Sequence, residues 1–227
     1  MFTVRLQRWV RRTAQRLAVV LAWLHLSPNA VTLIGTAITF AAAALVAVGQ
    51  LRPAGLVLLL GASLDIFDGA LARLTDKSYT YGAFLDSTAD RYAEGAIYLG
   101  MLVFFVSQHA QLPAVAVLVA LAGSFLVSYV RARAQSLGFT CDGGLFARPE
   151  RVVLAAIGLL VSVTGLEIVI YILALATNFT ALQRIYDVWR QAREQRLAAR
   201  DDMAHVAEEY RRSQASDRIA PPPPKGG

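Results

Sequence analysis

Long stretches without a single charge dominate this chain. Arg16 and Arg52 are consecutive charged residues with 35 uncharged ones between them, and a second uncharged stretch runs from Gly95 to Val130. Each exceeds the roughly 20 apolar residues that cross a bilayer core, so the pattern predicts membrane-spanning helices. Turn signals and charges divide the apolar sequence into six segments, near 30–50, 54–74, 83–107, 111–134, 150–164 and 167–189, with Pro28 and Asn29 breaking the pattern ahead of the first. In residues 2–17, Phe2, Leu6, Trp9, Val10 and Leu17 share one side while Arg5, Arg8, Arg12 and Arg16 recur every three or four positions. That spacing reads either as an amphipathic helix lying on an anionic membrane face or as a basic flank that sets topology. From Arg190 the sequence becomes polar, with helical spacing to about Gln214 and a disordered end at Pro221–Pro224. The predicted fold is an all-α integral membrane protein: a juxtamembrane helix over 1–26, a six-helix membrane unit over 27–190 and a polar cytoplasmic tail over 191–227. No internal repeat is visible.

Composition agrees with this pattern and removes alternatives. Of the 227 residues 56% are hydrophobic and 17% charged, and the mean hydropathy is +0.48, against about a quarter charged in soluble domains. The net charge of +6 comes from cations that flank apolar segments instead of forming a patch with interleaved aromatics, which argues for topology and against nucleic acid. With both termini inside, the exterior turns at Gln50–Pro53, Ser107–Pro113 and around Gly165 hold one basic residue, Arg52. The interior holds the rest, so the positive-inside rule supports an even number of spans. A lone Cys141 excludes an internal disulfide framework. The basic N-terminus lacks a small-residue cleavage site after a short apolar core, so it reads as retained.

The carboxylates carry the chemistry. Six of the sixteen acids, Asp65, Asp68, Asp76, Asp86, Asp90 and Glu94, fall in the second and third segments or the turn between them. Burying a carboxylate in a membrane is costly, so such residues mark a site by default. At about 100° per residue, Asp65, Asp68, Gly69, Ala72 and Arg73 share one arc of a helix, and Gly82, Asp86 and Asp90 share an arc of the next. Four carboxylates in one pocket repel each other unless cations neutralise them, and oxygen donors without His or Cys favour Mg²⁺ or Mn²⁺. Gly69, Ala72 and Gly82 leave room for a bulky ligand, and Arg73 offers a fork for phosphate. Together these residues indicate chemistry at a diphosphate; interhelical ion pairs that merely set packing are the alternative reading.

The pattern Asp65-x2-Asp68-Gly69-x2-Ala72-Arg73-x8-Gly82-x3-Asp86-x3-Asp90 resembles the complete signature of the CDP-alcohol phosphotransferases, membrane enzymes that move a phosphatidyl-type group from CDP onto an alcohol. The resemblance covers nearly all of the chain up to about Arg190. It implies six transmembrane helices, a juxtamembrane helix, a homodimer and two metal ions held by Asp65, Asp68, Asp86 and Asp90. It further implies Asp90 as general base, and Gly69, Ala72, Arg73 and Gly82 around the cytidine diphosphate. Asn29 and Thr32, in Ser27-Pro28-Asn29-x-x-Thr32, resemble a segment beside the nucleotide, with Ser27 in place of Thr; helix capping is the other reading of Asn29.

For the acceptor, Arg131, Arg133, Arg148 and Arg151 gather at the predicted cytoplasmic ends of segments four and five, with Arg184 near the end of segment six. Such a cluster suits an acceptor that carries its own phosphate, although arginines at cytoplasmic helix ends also arise from topology alone. The arrangement is similar to the phosphatidylinositol-phosphate synthases of actinobacterial type. That likeness implies CDP-diacylglycerol and inositol 1-phosphate as substrates and Arg131, Arg148, Arg151 and Arg184 as acceptor-phosphate residues. The sequence departs at Arg131, where Lys is expected, and at Ala147, where Glu is expected. Glycerol 3-phosphate is a rival acceptor, and a transporter or cation channel is the alternative from a different class. The implied location is the bacterial cell membrane, with the active site on the cytoplasmic face.

Overall fold

The computed structural model describes residues 27–74, 80–141, 143–144 and 146–219, without the side chains of 65–74, 201, 204, 206 and 208–219. The predicted juxtamembrane helix, Asp76 and the end of the tail lie outside the described residues. Among the described residues all regular structure is helical: α1 (Pro28–Ala47), α2 (Leu51–Leu74), α3 (Thr80–Ser107), α4 (Gln111–Ser136), α5 (Arg148–Val161) and α6 (Val163–Ile219).

The six helices follow the six apolar segments, but their boundaries differ in an instructive way. Pro28 does not break a pattern ahead of α1; it opens the helix at its first turn, behind a Ser27 cap whose Oγ accepts from the Ala30 N–H at 3.2 Å. Pro53, Pro113 and Pro149 likewise stand within the first three residues of α2, α4 and α5. Proline is at home there because first-turn N–H groups have no intrahelical acceptor to lose. The turn expected around Gly165 falls instead at Ser162, a single extended residue between α5 and α6. Its Oγ accepts the Gly165 N–H at 3.0 Å, so Gly165 belongs to the capped first turn of α6. The tail is continuous with the last apolar segment, in one 57-residue helix.

Each helix packs chiefly against two others, in the closed order α1, α2, α5, α6, α4, α3 and back to α1. The interior of this ring is filled by side chains such as Val46, Met101, Phe105, Val117, Leu159, Ile170 and Leu173, all almost fully buried. Close approach at the seams depends on small residues. A Cβ on Gly100 would collide with the Ala43 carbonyl of α1, and one on Gly61 would lie 2.7 Å from Thr39 Oγ1. The outer surface is apolar, with Leu56, Leu99, Leu112, Leu175 and Phe179 exposed, an arrangement that suits lipid and not water.

This is an integral membrane protein. Among the described residues three stretches, Pro28–Ala47, Gln111–Ser136 and Val163–Arg200, are long and apolar enough to cross a bilayer. α2 is apolar over Leu51–Leu64 and then meets its carboxylates, and α5 has 14 residues.

Candidate active site

Asp86 and Asp90 stand one turn apart on α3, and Gly82 one turn before Asp86, so all three share one side of that helix. Gly82 faces the start of α1: a Cβ there would sit 3.3 Å from Asn29 Oδ1. Since Ser27 caps α1, Asn29 is free of capping duty and presents its amide to the glycine of the signature. Thr32 is buried one turn on, its hydroxyl donating to the Pro28 carbonyl at 3.2 Å. Gly82 and Asn29, from two separate helices, therefore meet beside the helical turns that carry Asp86 and Asp90. Asp65, Asp68, Gly69, Ala72 and Arg73 belong to the last turns of α2; their side chains lie outside the described residues. Among the described residues no three of His, Cys, Asp and Glu come together. Asp86 and Asp90 supply oxygen donors, which fits a hard divalent cation.

The arginines converge. A cleft of about 240 Å³ is lined by Arg131, Arg148, Arg151 and Arg184, the four residues predicted for the acceptor phosphate, together with Arg91 and Ser128. α4 contributes Arg131, the start of α5 contributes Arg148 and Arg151, and α6 contributes Arg184. The cleft adjoins Asp90, whose Oδ1 accepts from Arg148 Nη1 at 2.7 Å and whose Oδ2 lies 3.5 Å from Arg91 Nη2.

Two of these arginines are buried and tied to the chain. Arg184 donates from Nε to the Gly143 carbonyl at 2.8 Å and from Nη1 to the Val127 carbonyl at 2.7 Å. Arg151 meets Glu94 through two contacts, at 2.7 and 3.0 Å, and reaches the Phe146 carbonyl with Nη1 at 3.0 Å. Both therefore secure the segment between α4 and α5. Gly144 in that segment has φ +131°, and a Cβ there would lie 2.8 Å from Thr180 Cγ2 and 3.1 Å from Arg184 Nε, so no other residue fits without displacement.

The CDP-alcohol phosphatidyltransferase family model matches residues 25–182. The chain belongs to this family. The match takes in all six predicted apolar segments except the end of the last, and leaves the polar half of α6 outside. This phosphatidyltransferase is 35% identical over 187 residues to the phosphatidylinositol phosphate synthase of Mycobacterium marinum, covering 78% of the present chain and 80% of the relative. The Corynebacterium glutamicum phosphatidylinositol phosphate synthase is 34% identical over 169 residues, covering 71% and 77%. The fold of the present chain is similar to that of the Mycobacterium tuberculosis phosphatidylinositol phosphate synthase, solved with CDP-DAG bound, at a TM-score of 0.73 and 32% identity, covering 78% of this chain and 94% of that one. The same mycobacterial enzyme has also been solved in complex with manganese and citrate.

Sequence reasoning missed Arg91. It interrupts an apolar segment beside Asp90, a signal that was available, but one cation next to one acid in a helix reads as local compensation. The fold gives it another meaning. Its Nε is buried without a hydrogen-bond partner among the described residues, and its side chain lines the cleft.

Proposed function

We propose that this phosphatidyltransferase joins the phosphatidyl group of CDP-diacylglycerol to inositol 1-phosphate, releasing CMP and forming phosphatidylinositol phosphate. The observation that carries this reading is the cleft beside Asp90, into which five arginines from four helices converge. An acceptor with a hydroxyl and a phosphate fits it: Arg91, Arg131 and Arg148 attract the phosphate, and Asp90 lies within reach of the hydroxyl. Names of relatives that share a third of the sequence support the same acceptor.

Asp90 takes the hydroxyl proton, the freed oxygen attacks the phosphorus that bears the diacylglycerol, and the bond from that phosphorus to CMP breaks. The ion pair with Arg148 holds the Asp90 carboxylate beside the cleft. Asn29, Thr32, Gly69, Ala72, Arg73 and Gly82 receive the cytidine diphosphate, the glycines by allowing close approach of the backbone. Asp65, Asp68, Asp86 and Asp90 hold two divalent ions, Mg²⁺ or Mn²⁺, which when bound supply charge neutralisation for the diphosphate and the departing CMP. All six helices cross the bacterial cell membrane, with the cleft on the cytoplasmic face and the enzyme as a homodimer.

The test is CMP release by purified protein with labelled CDP-diacylglycerol and Mg²⁺, offering inositol 1-phosphate, glycerol 3-phosphate, free inositol and serine in parallel. Turnover with inositol 1-phosphate far above the others is expected. Preference for glycerol 3-phosphate overturns the acceptor assignment, and no release with any of them overturns the activity.

A further inference from the structure

The outward side of α6 changes character along its length. Leu175, Phe179, Leu182, Tyr186 and Trp189 are all exposed, an apolar and aromatic stripe on a membrane helix. Arg190, Arg193, Arg196 and Arg200 follow, exposed as well. At about 100° per residue, stripe and arginines share a single arc of roughly 120°. The acids of this stretch lie elsewhere. Asp187, Glu194 and Asp202 fall in a separate arc of about 80°, which also holds Gln191 and the buried Thr180 and Arg184. Gln191 is bonded to Thr140 through both ends of its amide, so that side of the helix is held against the protein and the arginine side faces outward.

Two ring contacts mark the turn where apolar gives way to basic. The Tyr186 and Trp189 rings pack with centroids 5.7 Å apart, and the Arg193 guanidinium lies 5.7 Å from the Trp189 centroid. Tyr and Trp at the end of an apolar stripe place the membrane–water boundary, where such amphipathic rings collect. At 1.5 Å of rise per residue, Arg190 and Arg193 stand within about 6 Å of Trp189 along the helix, at the level of lipid phosphates. Arg190 also meets Glu194 at 3.8 Å, but both side chains are well exposed, so the contact is weak and yields to a closer anion. We infer that Arg190 and Arg193, beside Trp189, form a docking site for the phosphate of an anionic phospholipid headgroup, whose acyl chains run along Leu182 and Phe179. A guanidinium fork suits phosphate, and Arg196 and Arg200 add attraction at longer range. Pairing with a second copy of α6 is opposed on this side, since four arginines would face four arginines. The site is separate from the arginine cleft, which Arg184 lines from the other side of the helix, and it does not depend on which acceptor the enzyme uses.

The experiment reconstitutes the full chain in liposomes of phosphatidylcholine and phosphatidylglycerol, with bromine on the acyl chains of one lipid or the other, and reads tryptophan quenching. The share due to Trp189 is the difference between wild type and Trp189→Phe. The expected result is a preference for phosphatidylglycerol at Trp189 of about tenfold, falling to within about twofold of parity in Arg190→Gln/Arg193→Gln. Gln is as good a helix former as Arg, so the thermal midpoint of that variant stays near wild type. Salt at about 1 M weakens the preference in the wild type. Trp189 that neither lipid quenches lies outside the interface and overturns the site. Equal quenching by both lipids overturns it too, as does a preference that survives in the double variant. Loss of the preference when inorganic phosphate is added at constant ionic strength assigns the arginines to a free anion and overturns the lipid. If the double variant is not recovered, Arg193→Gln alone decides by the same comparison.

Discussion

At the scale of single residues, this protein draws different functions from one side-chain type according to burial. Arg151 and Arg184 are 2% and 3% exposed and bond to Glu94 or to backbone carbonyls, while Arg131 is exposed at the same cleft. In sequence they differ little, since each is a cation at the end of an apolar segment. Asp90 is the residue on which both halves of the proposed chemistry meet, so Asp90→Asn should reduce CMP release by at least about a hundredfold, the lower range for loss of a general base. Binding of labelled CDP-diacylglycerol should persist, and variant turnover near wild type would remove Asp90 as base. Asp90 was legible from its spacing; its ion pair with Arg148 was not, because spacing along α5 does not say which of its arginines meets the carboxylate.

At the scale of elements, the prolines and the polar half of α6 carry the lesson. The four prolines from Pro28 to Pro149 all lie in first turns, where sequence reading takes them as breaks; what they break is the preceding segment, and the same ring opens the next helix. α6 runs unbroken from its apolar part into a polar part because nothing in 190–219 stops a helix, neither Pro nor Gly. Its point of functional contact is early: Gln191 accepts from the Thr140 N–H and hydroxyl at 3.0 and 2.9 Å and donates to the Thr140 carbonyl at 2.7 Å, bracing the segment between α4 and α5. A stop codon after Arg200 is therefore expected to leave acceptor KM and turnover unchanged, whereas Gln191→Ala should raise acceptor KM. The comparison needs only steady-state CMP release, and equal effects of the two changes would refute it.

At the scale of the whole molecule, the ring of six helices joins segments far apart in the chain around one cleft. α3 brings Asp86, Asp90, Arg91 and Glu94, α5 answers with Arg148 and Arg151, and α4 and α6 close the far wall. Because the proposed chemistry concentrates carboxylates there, removal of divalent ions with EDTA should abolish CMP release, and Mg²⁺ or Mn²⁺ should restore it; activity that survives exhaustive chelation would contradict the metal assignment. The sequence by itself determined the membrane setting, the six apolar segments and the carboxylate spacing, because each of these is a property of local composition and helical period, and the family through the resemblance that the Asp65-to-Asp90 pattern carries. Only the tertiary structure decided which arginines face the cleft, that Arg91 joins them and that Glu94 anchors Arg151. Those facts depend on which turns of non-adjacent helices meet across the ring, and helical periodicity within one segment is blind to the rotation and depth of another.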